Sequence, residues 1–246
     1  MATIKEITQK LRSLKLSNLI EEAPKILSLA EQGEWSYIQM LDEVLTREID
    51  ARNANRIEQN KRKSNIEDIK TIEEFDFKFQ TTISKKEVNS LLDFQFIENR
   101  ENIIFIGASS LGKTHLATGI GLKALEKGYK VLFIDALTLE ETLTLAQTKG
   151  KLKAKINQLL KFDMIILDEL GYLPMGKSSM YNLFQLIHAM YEYRSLIITS
   201  NKEFTNWNEF FHNDNVAVPI IDRIVHHSKI FILGGESYRL RGKLKK

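Results

Sequence analysis

Apolar residues in this chain follow two rhythms. From Asn102 onward, short and nearly continuous apolar runs (IIFIG, KVLFID, MIILDE, SLIITSN and KIFILGG) alternate with longer stretches. In those stretches apolar positions recur every three or four residues. Runs rich in Ile, Leu, Val and Phe with no polar alternation predict parallel strands covered on both faces. The patterns after Thr114, between Leu137 and Leu160, and between Ser178 and Tyr193 predict helices. Between the fourth and fifth runs lie NKEFTNWNEFF and a helical VAVPIIDRIVHHS. Strand and helix alternating in this way predict an α/β fold built on a five-stranded parallel sheet.

The first part of the chain has no such runs. Residues 1–65 read as a small all-helical domain. In SYIQ, Ser36 with Gln39 three residues on forms a capping box. Ile38, Leu41, Leu45 and Ile49 then fall on one helical face. That face gives out at RNANRIEQNKRK. From Arg47 to Lys63 there are six Lys or Arg against three Asp or Glu. Arg47, Arg52, Arg56, Lys61, Arg62 and Lys63 form either a solvated helix end or a basic arm for DNA phosphates. Residues 66–100 lead into the second domain, 66–246. Phe75, Phe77 and Phe79 alternate as on a short extended segment, and SKKEVNSLLDFQFIE reads as one amphipathic helical stretch.

Composition narrows the class. The 246 residues suffice for one α/β domain and a small appendage. No apolar run nears the roughly 20 residues of a membrane span, and MATIKEITQK carries no secretory signal. The absence of cysteine excludes disulfides, thiolate zinc sites and thiol nucleophiles. A cytoplasmic protein is expected. A net charge of +3 does not by itself argue for nucleic acid.

The chemistry gathers at the ends of the apolar runs. GASSLGKT, residues 107–114, fits G-x-x-x-x-G-K-[ST] between a strand and a helix. Gly107 and Gly112 let the backbone of Ala108, Ser109, Ser110 and Leu111 wrap close to phosphate. The following helix, through Lys113, Thr114 and His115, adds its positive N-terminal end. Lys113 is the candidate for the β- and γ-phosphates of ATP and Thr114 for Mg²⁺. The run MIILDE ends in Asp168 and Glu169. Asp168 is expected to hold the magnesium water shell, and Glu169 to orient and deprotonate a water. Asn201, at the end of SLIITSN, is a candidate to hydrogen-bond the same water or the γ-phosphate; the alternative is that the whole triplet Thr199, Ser200 and Asn201 is strand-end turn chemistry. Arg223, Arg239 and Arg241 are candidates for the charge of a phosphoryl transition state. The five histidines show no metal spacing. His226 and His227 are expected on opposite sides of a helix.

GKTHLATGIGLKALEKGYKVLFIDA, DMIILDELGYLP, LFQLIHAMYEYRSLIITSN and DRIVHHSKIFILGGESYRLR together resemble the IstB family. These are the AAA+ ATPase helpers of insertion-sequence transposition, related to DnaC-type helicase loaders. The resemblance implies a sheet of order 5-1-4-3-2, with the FDF segment near adenine. It makes Asn201 the first sensor, Arg223 the finger that reaches a neighbouring subunit's ATP, and Arg239 a second sensor. It also implies N-terminal helices for self-assembly and DNA contact. The implied activity is ATP hydrolysis in homo-oligomers with shared ATP sites, formed on double-stranded DNA and recruiting a transposase. The family's usual loop, G-P-P-G-T-G-K-T-H, is here G-A-S-S-L-G-K-T-H, which implies a stiffer loop and weaker nucleotide affinity. The tail RLRGKLKK adds further candidate phosphate contacts. A helicase loader, a non-hydrolysing nucleotide-dependent scaffold and a small-molecule kinase stay open as rival readings.

Overall fold

The computed structural model describes residues 3–172, 176–207 and 214–244. Parts of DELGYLP and NKEFTNWNEFF, and the last two residues of RLRGKLKK, lie outside them. The chain packs as two compact units, Met1–Gln59 and Asn60–Lys246.

The first unit holds α1 (Ile4–Ser13), α2 (Leu19–Gln32) and most of α3 (Tyr37–Lys63). Thr3 caps α1 with a capping box to Glu6. The box expected ahead of α3 forms as well: Ser36 N donates to Gln39 Oε1 at 2.8 Å, and Gln39 N to Ser36 Oγ at 3.3 Å. Leu19 and Ile26 of α2 are buried. The predicted apolar face of α3 stays open: Ile38, Leu41, Leu45 and Ile49 are all exposed.

The second unit is a three-layer sandwich. Its strands are β1 (Asn102–Ile106), β2 (Val131–Asp135), β3 (Met164–Leu170), β4 (Ser195–Ser200) and β5 (Ser228–Ile232). They pair in parallel in the order β2-β3-β4-β1-β5. Read from the other edge this is 5-1-4-3-2, the order the resemblance implies. Successive residues of a strand face opposite sides, and both sides are covered. Ile104, Ile106, Leu167 and Ile198 join one core with α7 (Ala136–Thr148), α8 (Leu152–Leu159), α9 (Lys177–Met190) and α10 (Asp214–His226). Ile103, Phe105, Ile166 and Ile197 join the other with α6 (Lys113–Glu126) and the lead-in segment. The continuous apolar runs are explained by this double covering. Buried Asn102 ties the layers at one end: its Nδ2 donates to Ile224 O, and its Oδ1 accepts from Leu196 N.

Three expectations are corrected. Phe75, Phe77 and Phe79 do not lie on an extended segment. Asp76 Oδ1 accepts the N–H groups of Lys78 and Phe79 at 3.1 and 3.0 Å, which folds the stretch into a turn. The Phe75 and Phe77 rings meet edge-on at 4.7 Å instead of standing a strand repeat apart on one face. SKKEVNSLLDFQFIE forms two short helices, α4 (Lys85–Ser90) and α5 (Gln95–Glu98). They are broken where Phe94 takes a left-handed φ of 61° to bury its ring. Finally, α10 ends at His226, so His227 leaves the helical spiral, and the two rings lie 4.3 Å apart.

Candidate functional site

The site lies where the carboxyl ends of β1, β3 and β4 meet, the usual position for ligands in an open α/β sheet. A cleft of about 320 Å³ opens there. Its floor is the 107–114 loop. Three residues of that loop take positive φ: Gly107 at 153°, Ser110 at 67° and Gly112 at 93°. Side chains are excluded at two of them. A Cβ on Gly107 would collide with Leu233 O, and one on Gly112 would stand 2.6 Å from Phe75 Cε2. Leu111 turns inward, and its buried side chain joins the core under the loop. Gln80 Nε2 donates to Leu111 O at 3.2 Å, and Tyr238 N to Ser110 O at 3.0 Å. The loop is therefore pinned by the lead-in segment and by the C-terminal helix α11 (Tyr238–Leu244). The unusual Ser109-Ser110-Leu111 thus contributes an apolar anchor.

Lys113 begins α6. It is buried, and its ammonium donates to Gly107 O at 2.7 Å and Ala108 O at 2.8 Å. Burial pushes its pKa below the ordinary lysine value, while Asp168 and Glu169 act against that shift. The Thr114 hydroxyl lies 2.9 and 3.2 Å from the two carboxylate oxygens of Asp168, one proton shared between them. Thr199 donates to Asp168 Oδ1 at 2.5 Å and accepts Glu169 N–H at 2.9 Å. Glu169 is exposed on the cleft wall, and it also lines a second cleft of about 180 Å³ with Asp135 and Glu140. Hard oxygen donors in this Thr114–Asp168 pair fit Mg²⁺.

Lys113, Thr114, Asp168, Glu169, Asn201 and Arg239 all line or border the main cleft. His115 reaches it too, but its Nε2 is engaged with Thr71 O at 2.7 Å. Phe75, Phe79 and Tyr238 also line the cleft. Arg241 is tied to Asp76 at 3.2 Å and lies 4.8 Å above the Phe79 ring. Arg223 stands apart. Its Nη1 donates to Pro219 O, and its guanidinium lies 5.2 Å from the Phe184 ring centroid, beside a different small cleft.

The family profile of IstB-like ATP-binding proteins matches residues 9–246. The chain belongs to the IstB-like ATP-binding family. This IstB-like chain is 38% identical over 240 residues to a Pseudomonas aeruginosa protein of insertion sequence IS21 that is named for ATP binding. The match covers 98% of this chain and 91% of the relative. Among solved structures, the IstB-like fold is similar to the replication initiator DnaA bound to AMPPCP and single-stranded DNA. The TM-score there is 0.54 at 19% identity, over 72% of this chain and 54% of that one. It is also similar to the DnaC helicase loader, with a TM-score of 0.52 at 19% identity, over 62% of this chain and 92% of that one. These two likenesses speak to the fold alone.

Sequence reasoning missed Thr199, set aside as turn chemistry. A threonine directly after an apolar run in a buried strand was the available signal, because a buried hydroxyl needs partners. Among the basic candidates of α3, Arg47 is paired with Glu22 and Glu43, and Arg52 with Glu48, each at 2.7 Å. Arg56, Lys61, Arg62 and Lys63 are exposed. A second basic stretch went unnoticed. Between Glu141 and Asp163 there are five lysines and no acid. Lys149, Lys151 and Lys153, at the turn from α7 to α8, are exposed. Among the described residues no helix is long and apolar enough to cross a membrane.

Proposed function

We propose that this chain is an AAA+ ATPase that hydrolyses ATP with Mg²⁺ in homo-oligomers on double-stranded DNA and so assists transposition by recruiting a transposase. One observation carries the hydrolytic reading: Thr114 is bonded to Asp168, and Glu169 is the next residue on the wall of the same cleft. Lys113 and the loop N–H groups bind the β- and γ-phosphates. Thr114 and Asp168 would hold Mg²⁺, which would supply charge neutralisation of the phosphate oxygens. Asn201 orients the attacking water and Glu169 takes its proton. Phe75 and Phe79 flank the base, and Arg239 reaches the phosphates from α11. Arg223 lies outside the cleft of its own chain, which suits a finger that serves the next subunit. The 1–65 segment, with the exposed face of α3, serves self-assembly and DNA contact. The insertion-sequence setting of its relatives supports a transposase as the partner.

Mixing variants tests the shared site. Glu169→Gln is expected to bind ATP and hold the oligomer without turnover. Arg223→Ala and Lys113→Ala are each expected to lack hydrolysis. Mixed, they regain part of it, because some interfaces join an intact cleft to an intact finger. Absence of recovery in the mixture overturns the shared site. Capture of a replicative helicase instead of the transposase by the immobilised protein favours a loader.

A further inference from the structure

The sheet holds one irregularity, and it falls on the two acids. Leu167 of β3 stands opposite Ile198 of β4, but Leu170 stands opposite Ser200. Asp168 and Glu169 therefore share a single opposing residue, Thr199. Such a bulge re-aims a side chain at the end of a strand. Here Glu169 takes a left-handed φ of 59°, which is uncommon for a residue other than glycine. We propose that Thr199 is a positioning residue that fixes both acids, holding the Asp168 carboxylate and stabilising the Glu169 turn through one hydroxyl. This inference rests on the hydrolytic reading above, in which that pair of acids works on ATP and water.

The hydroxyl uses both of its capacities. Its proton goes to Asp168 Oδ1 at 2.5 Å, and its oxygen accepts Glu169 N–H at 2.9 Å. Thr199 is 1% exposed, so solvent does not replace either bond. Thr114 also donates to Asp168, but Thr114 belongs to the loop and to the metal's candidate ligands. Thr199 belongs to a central strand and holds the carboxylate from the sheet side. Valine has the same shape and makes neither bond; serine makes both. Without the hydroxyl, Asp168 loses a donor and Glu169 N–H loses its acceptor, so the left-handed turn loses what holds it. The phosphate loop, whose contacts do not involve Thr199, keeps its geometry. The sequence reading gives the end of β4 to Asn201. The geometry gives Asn201 the cleft and gives Thr199 the acids.

Thr199→Val and Thr199→Ser test this against the unaltered full chain. Amide exchange at Glu169, read without nucleotide, is expected to rise about tenfold or more in Thr199→Val and to return in Thr199→Ser. With ATP and Mg²⁺, kcat is expected to fall on the order of 10–100-fold in Thr199→Val, the usual effect of losing a supporting partner, with KM little changed. Thr199→Ser restores most of it. Unchanged Glu169 exchange, or unchanged kcat in the valine variant, overturns the proposal. Equal damage in both variants assigns Thr199 to packing and overturns it as well. An unaltered chain that shows no turnover overturns the hydrolytic reading, while the exchange measurement still decides the positioning.

Discussion

Lys113 Nζ lies 2.7 Å from the carbonyl oxygen of Gly107, in the loop this lysine closes. The ammonium is buried among its own carbonyls, and burial lowers its pKa. Between that lowered value and the ordinary 10.5, the unfolded chain keeps a proton that the folded chain has released. Unfolding then takes up a proton, so this lysine makes stability rise with pH through that window. Lys113→Met removes the effect. The melting temperature of the unaltered chain, compared with that of Lys113→Met, is expected to gain as pH climbs from 7 toward 10.5. A difference that stays flat across that range counts against it. Nucleotide affinity of the variant is expected to fall by roughly 100-fold or more, since phosphate charge is left unpaired.

Gly112 and Phe75 form a second constraint on the same loop. Gly112→Ala places a methyl against the ring and forces alanine to φ 93°. The backbone part costs about 1–3 kcal/mol, read as a lowered denaturant midpoint, and nucleotide binding is expected to be lost. Phe75→Leu in the Gly112→Ala background relieves the contact but leaves the backbone strain. A double-mutant cycle is therefore expected to show partial recovery. Strict additivity of the two changes removes the ring from the explanation.

Arg241 links α11 to the lead-in segment across the cleft. Asp76, held below its ordinary pKa first by the Phe79 N–H and also by Arg241, stays ionised to receive it. An exposed ion pair is weak, and a cation over a ring adds about 0.5–1 kcal/mol. Arg241→Ala is therefore expected to speed nucleotide release about threefold, with Arg241→Lys in between because it keeps charge but loses the planar stack. Stopped-flow with a fluorescent ATP analogue reads this. Equal release rates in all three proteins separate α11 from nucleotide retention.

Two basic surfaces are candidates for the DNA contact proposed above. Neutralising Lys61, Arg62 and Lys63 to Gln, and separately Lys149, Lys151 and Lys153, is expected to flatten the salt dependence of duplex binding. The expected change is roughly 0.9 in the log–log slope per lost phosphate contact. The second set is expected to matter at least as much, because no acid lies between Glu141 and Asp163 in the sequence. Arg47 and Arg52, ahead of the first set, are already paired with Glu22, Glu43 and Glu48. An unchanged slope in both variants moves the contact surface elsewhere.

The strands were legible because parallel strands buried on both sides leave unbroken apolar runs such as IIFIG and MIILDE; their order came only with the family resemblance. The phosphate loop was legible because Gly107 and Gly112 answer a steric demand that no other residue meets. What escaped depends on single side chains bending the backbone. Asp76 turns the FDF segment by accepting two N–H groups, and Phe94 breaks a helical pattern to reach the core. Thr199 escaped because its partners sit on another strand, 30 and 31 positions away in sequence. The exposed face of α3 has a plain helical period in sequence, but period alone does not tell whether a face is covered.

The last strand has a consequence for timing. β1 sits between β4 and β5, Asn102 opposite Ser228, and Leu233 N donates to Ile106 O at 2.7 Å. The Leu233 carbonyl in turn closes the space behind Gly107. The phosphate loop, near the middle of the chain, therefore rests against residues synthesised far later. Pairing of such distant segments is slow to form. The wall behind the phosphate loop is therefore complete only once the segment around residue 233 has been made and has folded back onto β1.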